Sequence, residues 1–307
     1  MNEILRLFPA HVSQIIKEQV GDRWNKLQEI RLRLFKPIEL NFNDSIEWIK
    51  HVEFATDERN FVLNQLSEHS LYRLETELKE GFITVAGGHR VGLAGKVTTT
   101  ENHVKGLQFI TSFNIRVAQQ IIGIAEPLIH HLYDESNYCH TLIIGAPQSG
   151  KTTLLRDITR LISNGHQVIP AKKVAIIDER SEIAAAKNGV SQFDIGSRTD
   201  VMDACPKAVG MMMMIRSMSP EIVVVDEIGK QEDVQALLDV FHAGVTIICT
   251  VHGSSLTDVK KRLSLQQLFS ESIFNRYILL STDRKGRFIY EVYDKHNELL
   301  ATVREQL

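Results

Sequence analysis

The chain has 307 residues, 43% hydrophobic and 24% charged, a balance that lets it bury a sizeable core without disulfide or metal staples. Its 35 Lys and Arg stand against 38 Asp and Glu, a formal charge of −3, which removes any global electrostatic reason to expect nucleic acid or an anionic membrane as partner. Cys139, Cys205 and Cys249 have no CxxC spacing and read as reduced thiols, and no run approaches the ~20 apolar residues a membrane span needs.

Met1–Gln19 mixes Glu, Arg, His and Lys among its apolar residues and lacks the unbroken apolar stretch of a signal peptide. Ile4, Leu7, Phe8, Val12, Ile15 and Ile16 have helical spacing, and Pro9, lacking an N–H, is expected to open that helix. Ile30–Leu34 alternates apolar and basic residues, the pattern of a half-buried strand. Phe61–Glu80 returns to helical spacing, followed by a strand at Phe82–Val85 and a glycine-rich strand-turn-strand segment over Gly87–Gly95. Phe113–Ala118 is a further strand candidate. From Ile121 the pattern changes. A helix over Ala125–Tyr133 leads into strand-length apolar runs at Thr141–Ile144, Val174–Ile177, Ile222–Val225, Val245–Cys249 and Tyr277–Leu280. Helical stretches such as Thr152–Ser163 and Glu232–Ala243 lie between them, which implies a mostly parallel sheet covered on both faces. Phe288–Tyr293 closes a hairpin after the turn Asp283–Arg287. Two domains are expected: a smaller α+β domain over 1–120 and an α/β domain over 121–307.

The segment Gly145-Ala146-Pro147-Gln148-Ser149-Gly150-Lys151-Thr152 fits G-x-x-x-x-G-K-[ST] in full, between an apolar strand and a helix. Its glycines let successive backbone N–H groups converge on phosphate oxygens, and the helix that Thr152 and Thr153 open adds the positive end of its dipole. Lys151 would reach the β- and γ-phosphates, and the Thr152 hydroxyl would ligate Mg²⁺. Ile222–Val225 is a buried-strand run that ends in Asp226 and Glu227. Asp226 is the second candidate metal ligand, and Glu227 would polarise an attacking water, which favours hydrolysis.

Accessory candidates follow. Glu179, in the strand-end run Asp178-Glu179-Arg180, would lie near the nucleotide, and His252, at the next strand's end, would sense the γ-phosphate. Arg90, Arg116 and Arg198 are candidates to stabilise transition-state charge across a subunit boundary. The run Met211–Met214 reads as core or interface packing.

Asp178–Ala184, Gly196–Val201, Met211–Pro220, Gly87–Gly95 and Ser112–Ala118 together resemble the stage III sporulation protein AA family, over most of the chain. That family is similar to the ATPases of type II and type IV secretion and pilus dynamics. The resemblance implies a P-loop NTPase (RecA-like) domain preceded by the smaller α+β domain, with ATP and Mg²⁺ as cofactors. It places an acidic box on Asp178 and Glu179, a carboxylate strand on Val223–Glu227 preceded by Arg216 and Pro220, and the family histidine on His252. Secretion ATPases often carry Gly before the catalytic Glu, whereas this chain has Asp226. The resemblance also implies a homo-oligomeric ring, a hexamer, whose first domain lends arginines to a neighbouring nucleotide. It further implies a cytoplasmic mother-cell protein, peripheral to the membrane through its partners, that powers a sporulation channel complex of membrane proteins. Two other readings stay open: a nucleotide-dependent assembly switch without turnover, and a nucleic-acid-dependent ATPase, which the acidic balance disfavours.

Overall fold

The computed structural model describes residues 1–67, 81–100, 103–134, 136–283 and 287–305. The chain divides into two compact units, Met1–Gln119 with Ala185–Gln192, and Gln120–Ala184 with Phe193–Leu307. The short segment Ala185–Gln192 thus belongs with the first unit, although it falls inside the span expected to form the second domain.

In the first unit, α1 (Asn2–Leu5) and α2 (Ala10–Val20) precede β1 (Leu27–Arg33), β2 (Pro37–Phe42) and β3 (Ile46–Glu53). Pro9 is the N-cap of α2 with φ −55°, the value its ring imposes, and its missing N–H costs no helical bond there. Next come α3 (Thr56–Ser67), β4 (Phe82–Thr84), β5 (Arg90–Thr100) and β6 (His103–Arg116). The expected helix over Phe61–Glu80 therefore begins earlier, at Thr56, and its remainder beyond Ser67 lies outside the described residues. The six strands form an antiparallel sheet in the order β3-β2-β1-β6-β5-β4. Ile30 and Leu32 of β1 point inward with Ile38, Leu40, Val91, Phe113 and Ile115 against Ile4, Val12 and Ile16 of the helices. The alternate residues Glu29, Arg31 and Arg33 stay partly exposed, the period-2 split of a one-sided sheet.

The glycine-rich segment is a tight turn at Ala86–Gly88 that leads into β5. Gly87 has φ +81°, and a Cβ there would stand 2.7 Å from His89 Nε2, so the turn needs glycine. His89 is buried, and its Nδ1 accepts the Ala118 N–H at 2.9 Å. The Gly87 N–H donates to Gln192 Oε1 at 3.0 Å. One turn thus grips both Ala118 and Gln192, the chain on either side of the second unit's first stretch.

The second unit opens with α4 (Glu126–Ile129), a 3₁₀ turn at His130–Leu132, and the small hairpin of β7 (Tyr133–Asp134) and β8 (Asn137–Tyr138). The helix expected over Ala125–Tyr133 is therefore shorter, ending where the chain tightens. Then follow β9 (Thr141–Gly145), α5 (Lys151–Asn164), β10 (Val174–Asp178), β11 (Thr199–Asp203), α6 (Lys207–Met218), β12 (Ile222–Val225) and α7 (Gln231–His242). The unit ends with β13 (Thr246–His252), α8 (Leu256–Lys260), α9 (Gln266–Ser270), β14 (Arg276–Thr282), β15 (Phe288–Asp294) and β16 (Leu299–Glu305). The sheet order is β11-β10-β12-β13-β9-β14-β15-β16, parallel through β14 and antiparallel over the last two strands.

Alternation along the central strands feeds two cores. Ile143, Ile176, Val224 and Ile248 pack on one face with Leu154, Leu155, Ile158 and Ile162 of α5. Leu142, Ala175, Ile177, Val223, Val225 and Ile247 pack on the other with Met211 and Met214 of α6 and Val234, Leu237 and Leu238 of α7. Burial on both faces explains why these strands read as continuous apolar runs. Cys139 and Cys249 are buried free thiols. No helix of the described residues is long and apolar enough to cross a membrane.

Candidate functional site

The carboxyl ends of β9, β10, β12 and β13 lie at one edge of the parallel sheet, where such sheets present ligand-binding loops. The loop Gly145–Gly150 leaves β9 there and turns into α5. Gln148 takes φ +61° and Gly150 φ +86°, bends that turn the chain back over the start of α5. A Cβ on Gly145 would stand 2.4 Å from Ser149 Oγ, 3.1 Å from Leu280 Cβ and 3.3 Å from Lys151 Cγ, so a side chain there would crowd the loop. Ser149 Oγ is buried and has no hydrogen-bond partner among the described residues. Lys151 Nζ folds back onto the loop, donating to Gly145 O at 3.0 Å and Ala146 O at 2.7 Å. Burial lowers the Lys151 pKa, while Asp226 and Glu227 pull it the other way.

The neighbouring strand ends bring the acids in. The Thr152 hydroxyl donates to Asp226 Oδ2 at 3.2 Å, and the Thr250 hydroxyl donates to Asp226 Oδ1 at 2.6 Å. Glu227 has φ +36°, and its N–H donates to Thr250 Oγ1 at 2.8 Å. His252 stands between two of the predicted residues: Nε2 is 3.0 Å from Glu227 Oε1, and Nδ1 is 3.4 Å from Lys151 Nζ. A lysine ammonium has no acceptor, so this arrangement fits the neutral tautomer, with Nε2–H donating to the carboxylate. Arg180 NH1 reaches Glu227 Oε2 at 3.3 Å from the other side. Lys151, Thr152, Asp226, Glu227 and His252 are therefore one connected cluster, joined by Thr250 and Arg180.

Glu179 lies at the same edge, but its carboxylate turns onto Lys207 Nζ, with Lys230 Nζ 3.9 Å away. The hydrogen bond from Lys207 holds its pKa below the usual range. Asp178 is fully buried and accepts three backbone N–H groups, from Glu182 at 2.8 Å, Ile183 at 3.0 Å and Ala184 at 2.9 Å. Arg156 of α5, itself buried and 4.0 Å over the Phe193 ring, donates to the carbonyls of Glu182 and Ile183 at 2.7 and 2.6 Å. The turn after the acid pair is thus clasped through both its N–H and its C=O groups by a strand end and by the helix that starts at the loop.

The three candidate arginines do not join this cluster within the chain. Arg198 immediately precedes β11, whose Thr199 pairs with Val174 at the start of β10, so it sits at the opposite, amino edge of the sheet. Its NH1 donates to Ala171 O at 3.0 Å. Arg90 and Arg116 belong to the first unit, where they are directly opposed cross-strand neighbours on β5 and β6. Arg90 also lies 4.7 Å from the centre of the Phe82 ring.

Thr152 and Asp226 supply hard oxygen donors 3.2 Å apart, the chemistry Mg²⁺ prefers. No cluster of three or more His, Cys, Asp or Glu exists among the described residues, so the protein would share such an ion with phosphate oxygens and water. The orphaned Ser149 hydroxyl and the glycine-lined loop at the N-terminus of α5 fit a phosphate group. Thr250 and Lys207 were not singled out from sequence; a Thr or Lys near a strand end carries no motif until strand register is known.

Comparison with known proteins shows the family and finds solved structures of similar fold. The family model for sporulation stage III, protein AA, matches residues 1–300. The stage III sporulation protein AA of Bacillus subtilis (strain 168) is 48% identical over 301 residues, covering 98% of this chain and 97% of that protein. Among solved structures, the ATPase DotB of Legionella pneumophila superposes with a TM-score of 0.63 at 16% identity, covering 92% of this chain and 81% of that one. The pilus retraction motor PilT with bound ADP gives 0.61 at 15% identity, covering 92% and 82%. At these identities the two structures speak to the fold alone.

Proposed function

The chain belongs to the sporulation stage III, protein AA family, and from that premise we propose that it is a P-loop motor ATPase. The observation that carries this reading is the connected cluster of Lys151, Thr152, Asp226, Glu227 and His252 at the carboxyl edge of the parallel sheet. The loop from Gly145 to Thr153 binds the ATP phosphates, which displace Lys151 from the carbonyls of Gly145 and Ala146 that now hold it. Thr152 and Asp226 would hold Mg²⁺, which would offset negative charge on the phosphates. Glu227 orients the attacking water and takes its proton. His252, hydrogen-bonded to Glu227 and facing Lys151, registers whether a γ-phosphate lies between them. Arg180 and the acid pair Asp178 and Glu179 shape the wall on the β10 side.

A hexameric ring completes the site. Arg90 and Arg116, cross-strand neighbours on β5 and β6, are assigned to the nucleotide of a neighbouring copy, where they offset transition-state charge. Arg198, at the far edge of its own sheet, is assigned to a subunit contact and not to its own nucleotide. The motor works in the mother-cell cytoplasm and acts on membrane proteins of a sporulation channel.

Equilibrium binding of a fluorescent ATP analogue, with and without Mg²⁺, tests the nucleotide site. Wild type binds, and Lys151→Ala loses at least tenfold in affinity, the scale of a charge-assisted contact. Equal binding by both proteins would refute the assignment of the loop.

A further inference from the structure

The two acids at the end of β12 owe their arrangement to a single hydroxyl. Thr250 lies on β13, where the pairing of Val225 with Cys249 brings it level with Asp226. Its side chain is fully buried. The one hydroxyl proton goes to Asp226 Oδ1 at 2.6 Å, and a lone pair of the same oxygen receives the Glu227 N–H at 2.8 Å. The Thr250 carbonyl then accepts the Ile228 N–H at 2.9 Å. Three successive residues, 226 to 228, are thereby tied to one residue of the adjacent strand.

Glu227 needs such a tie. It follows the last β12 residue by two positions and takes φ +36°, a conformation that residues with a side chain adopt at a cost. The Thr250 oxygen gives its N–H a partner where the ladder has ended, and so holds the bend that sends the Glu227 carboxylate toward His252 and Arg180. With Oδ1 of Asp226 occupied by this hydroxyl, Oδ2 is the oxygen turned to Thr152. We infer that Thr250 is a positioning residue that sets both the metal-facing oxygen of Asp226 and the water-facing orientation of Glu227. This inference rests on the P-loop reading above and deepens it.

Two near-isosteric variants separate this role from plain packing. Thr250→Val keeps the volume and the backbone bond to Ile228 and removes the hydroxyl; Thr250→Ser keeps the hydroxyl and removes a buried methyl. A packing role makes Ser the damaging change, and a positioning role makes it Val. The experiment measures melting temperature, affinity for the fluorescent ATP analogue in Mg²⁺ and in EDTA, and kcat and KM for MgATP, on the full chain. Thr250→Val should bind as wild type does in EDTA, lose ~3- to 10-fold of the affinity that Mg²⁺ adds, and lose ~10- to 100-fold in kcat with little change in KM. Thr250→Ser should stay within ~3-fold of wild type throughout.

The inference is overturned if Thr250→Val matches wild type in both the Mg²⁺-dependent affinity and kcat, or if Ser loses as much as Val. If wild type binds MgATP without turnover, hydrolysis fails as a reading while the ratio of affinities in Mg²⁺ and EDTA still decides for or against Thr250. A wild type that binds no nucleotide would overturn both.

Discussion

Asp178→Asn removes the charge of a carboxyl that the fold has taken out of water. Burial is the largest influence on this group; the N–H groups of Ala184 and Glu182 oppose it without cancelling it, and Asp203 and Asp226 add repulsion. The pKa is pushed up from an ordinary 3.8 to about 6. A carboxyl whose folded pKa is raised favours the folded state when protonated. Its contribution is fully present below the unfolded value and is lost as pH rises through the folded one. The gap corresponds to about 3 kcal/mol in total, of which about 2 kcal/mol falls between about pH 4.5 and 7.5. For a unit of this size that is roughly 4–8 °C of melting temperature. Trp24 and Trp48, the only tryptophans, both belong to the first unit, so tryptophan emission reports that unit. Circular dichroism adds the second. Melting curves for wild type and Asp178→Asn, read by both probes across that pH range, should show the wild type losing ground to the variant as pH rises. The change should appear in the dichroism transition. Wild-type and variant curves that stay parallel across the range would refute the reasoning.

His89 in the first unit has the opposite sign. Burial, with a smaller push from the chain's amino terminus, takes its pKa down to about 4, so its contribution is present above about pH 6.5 and is lost as pH falls toward 4. Tryptophan emission should report an acid destabilisation of wild type that is smaller in His89→Gln. Gly145→Ala puts a Cβ 2.4 Å from Ser149 Oγ and should weaken binding of the fluorescent ATP analogue at least tenfold while moving the melting temperature by only a few degrees. An unchanged affinity would show that the loop can relax around the extra carbon.

The parts of this molecule that sequence made readable are those specified by local chemistry. The Gly145–Thr152 loop needs glycines and a lysine at set spacing, and strands buried on both faces, such as Ile222–Val225, betray themselves as unbroken apolar runs. Elements with mixed patterns stayed hidden. β11, Thr-Asp-Val-Met-Asp, is a polar edge strand, and β2 and β3 carry Glu39, Asn41, Glu47 and Lys50 among their apolar residues. Long-range register stayed hidden as well. Nothing local to Thr250 says that it faces Asp226, because the contact depends on β13 lying beside β12. The same holds for Arg198, whose sequence neighbourhood does not tell which edge of the sheet it occupies. Ala185–Gln192 joins the first unit through a contact such as that of Gln192 with Gly87, 105 positions earlier, beyond any periodicity.

The most direct test of a hydrolytic motor is phosphate release from ATP and Mg²⁺, measured across a range of protein concentrations for wild type and Glu227→Gln. Glu227 as the water-activating base predicts release by wild type that falls by at least ~10²-fold in the variant, and a ring predicts specific activity that rises with concentration. Release that persists in Glu227→Gln at the wild-type rate, or none from wild type at any concentration, would contradict it.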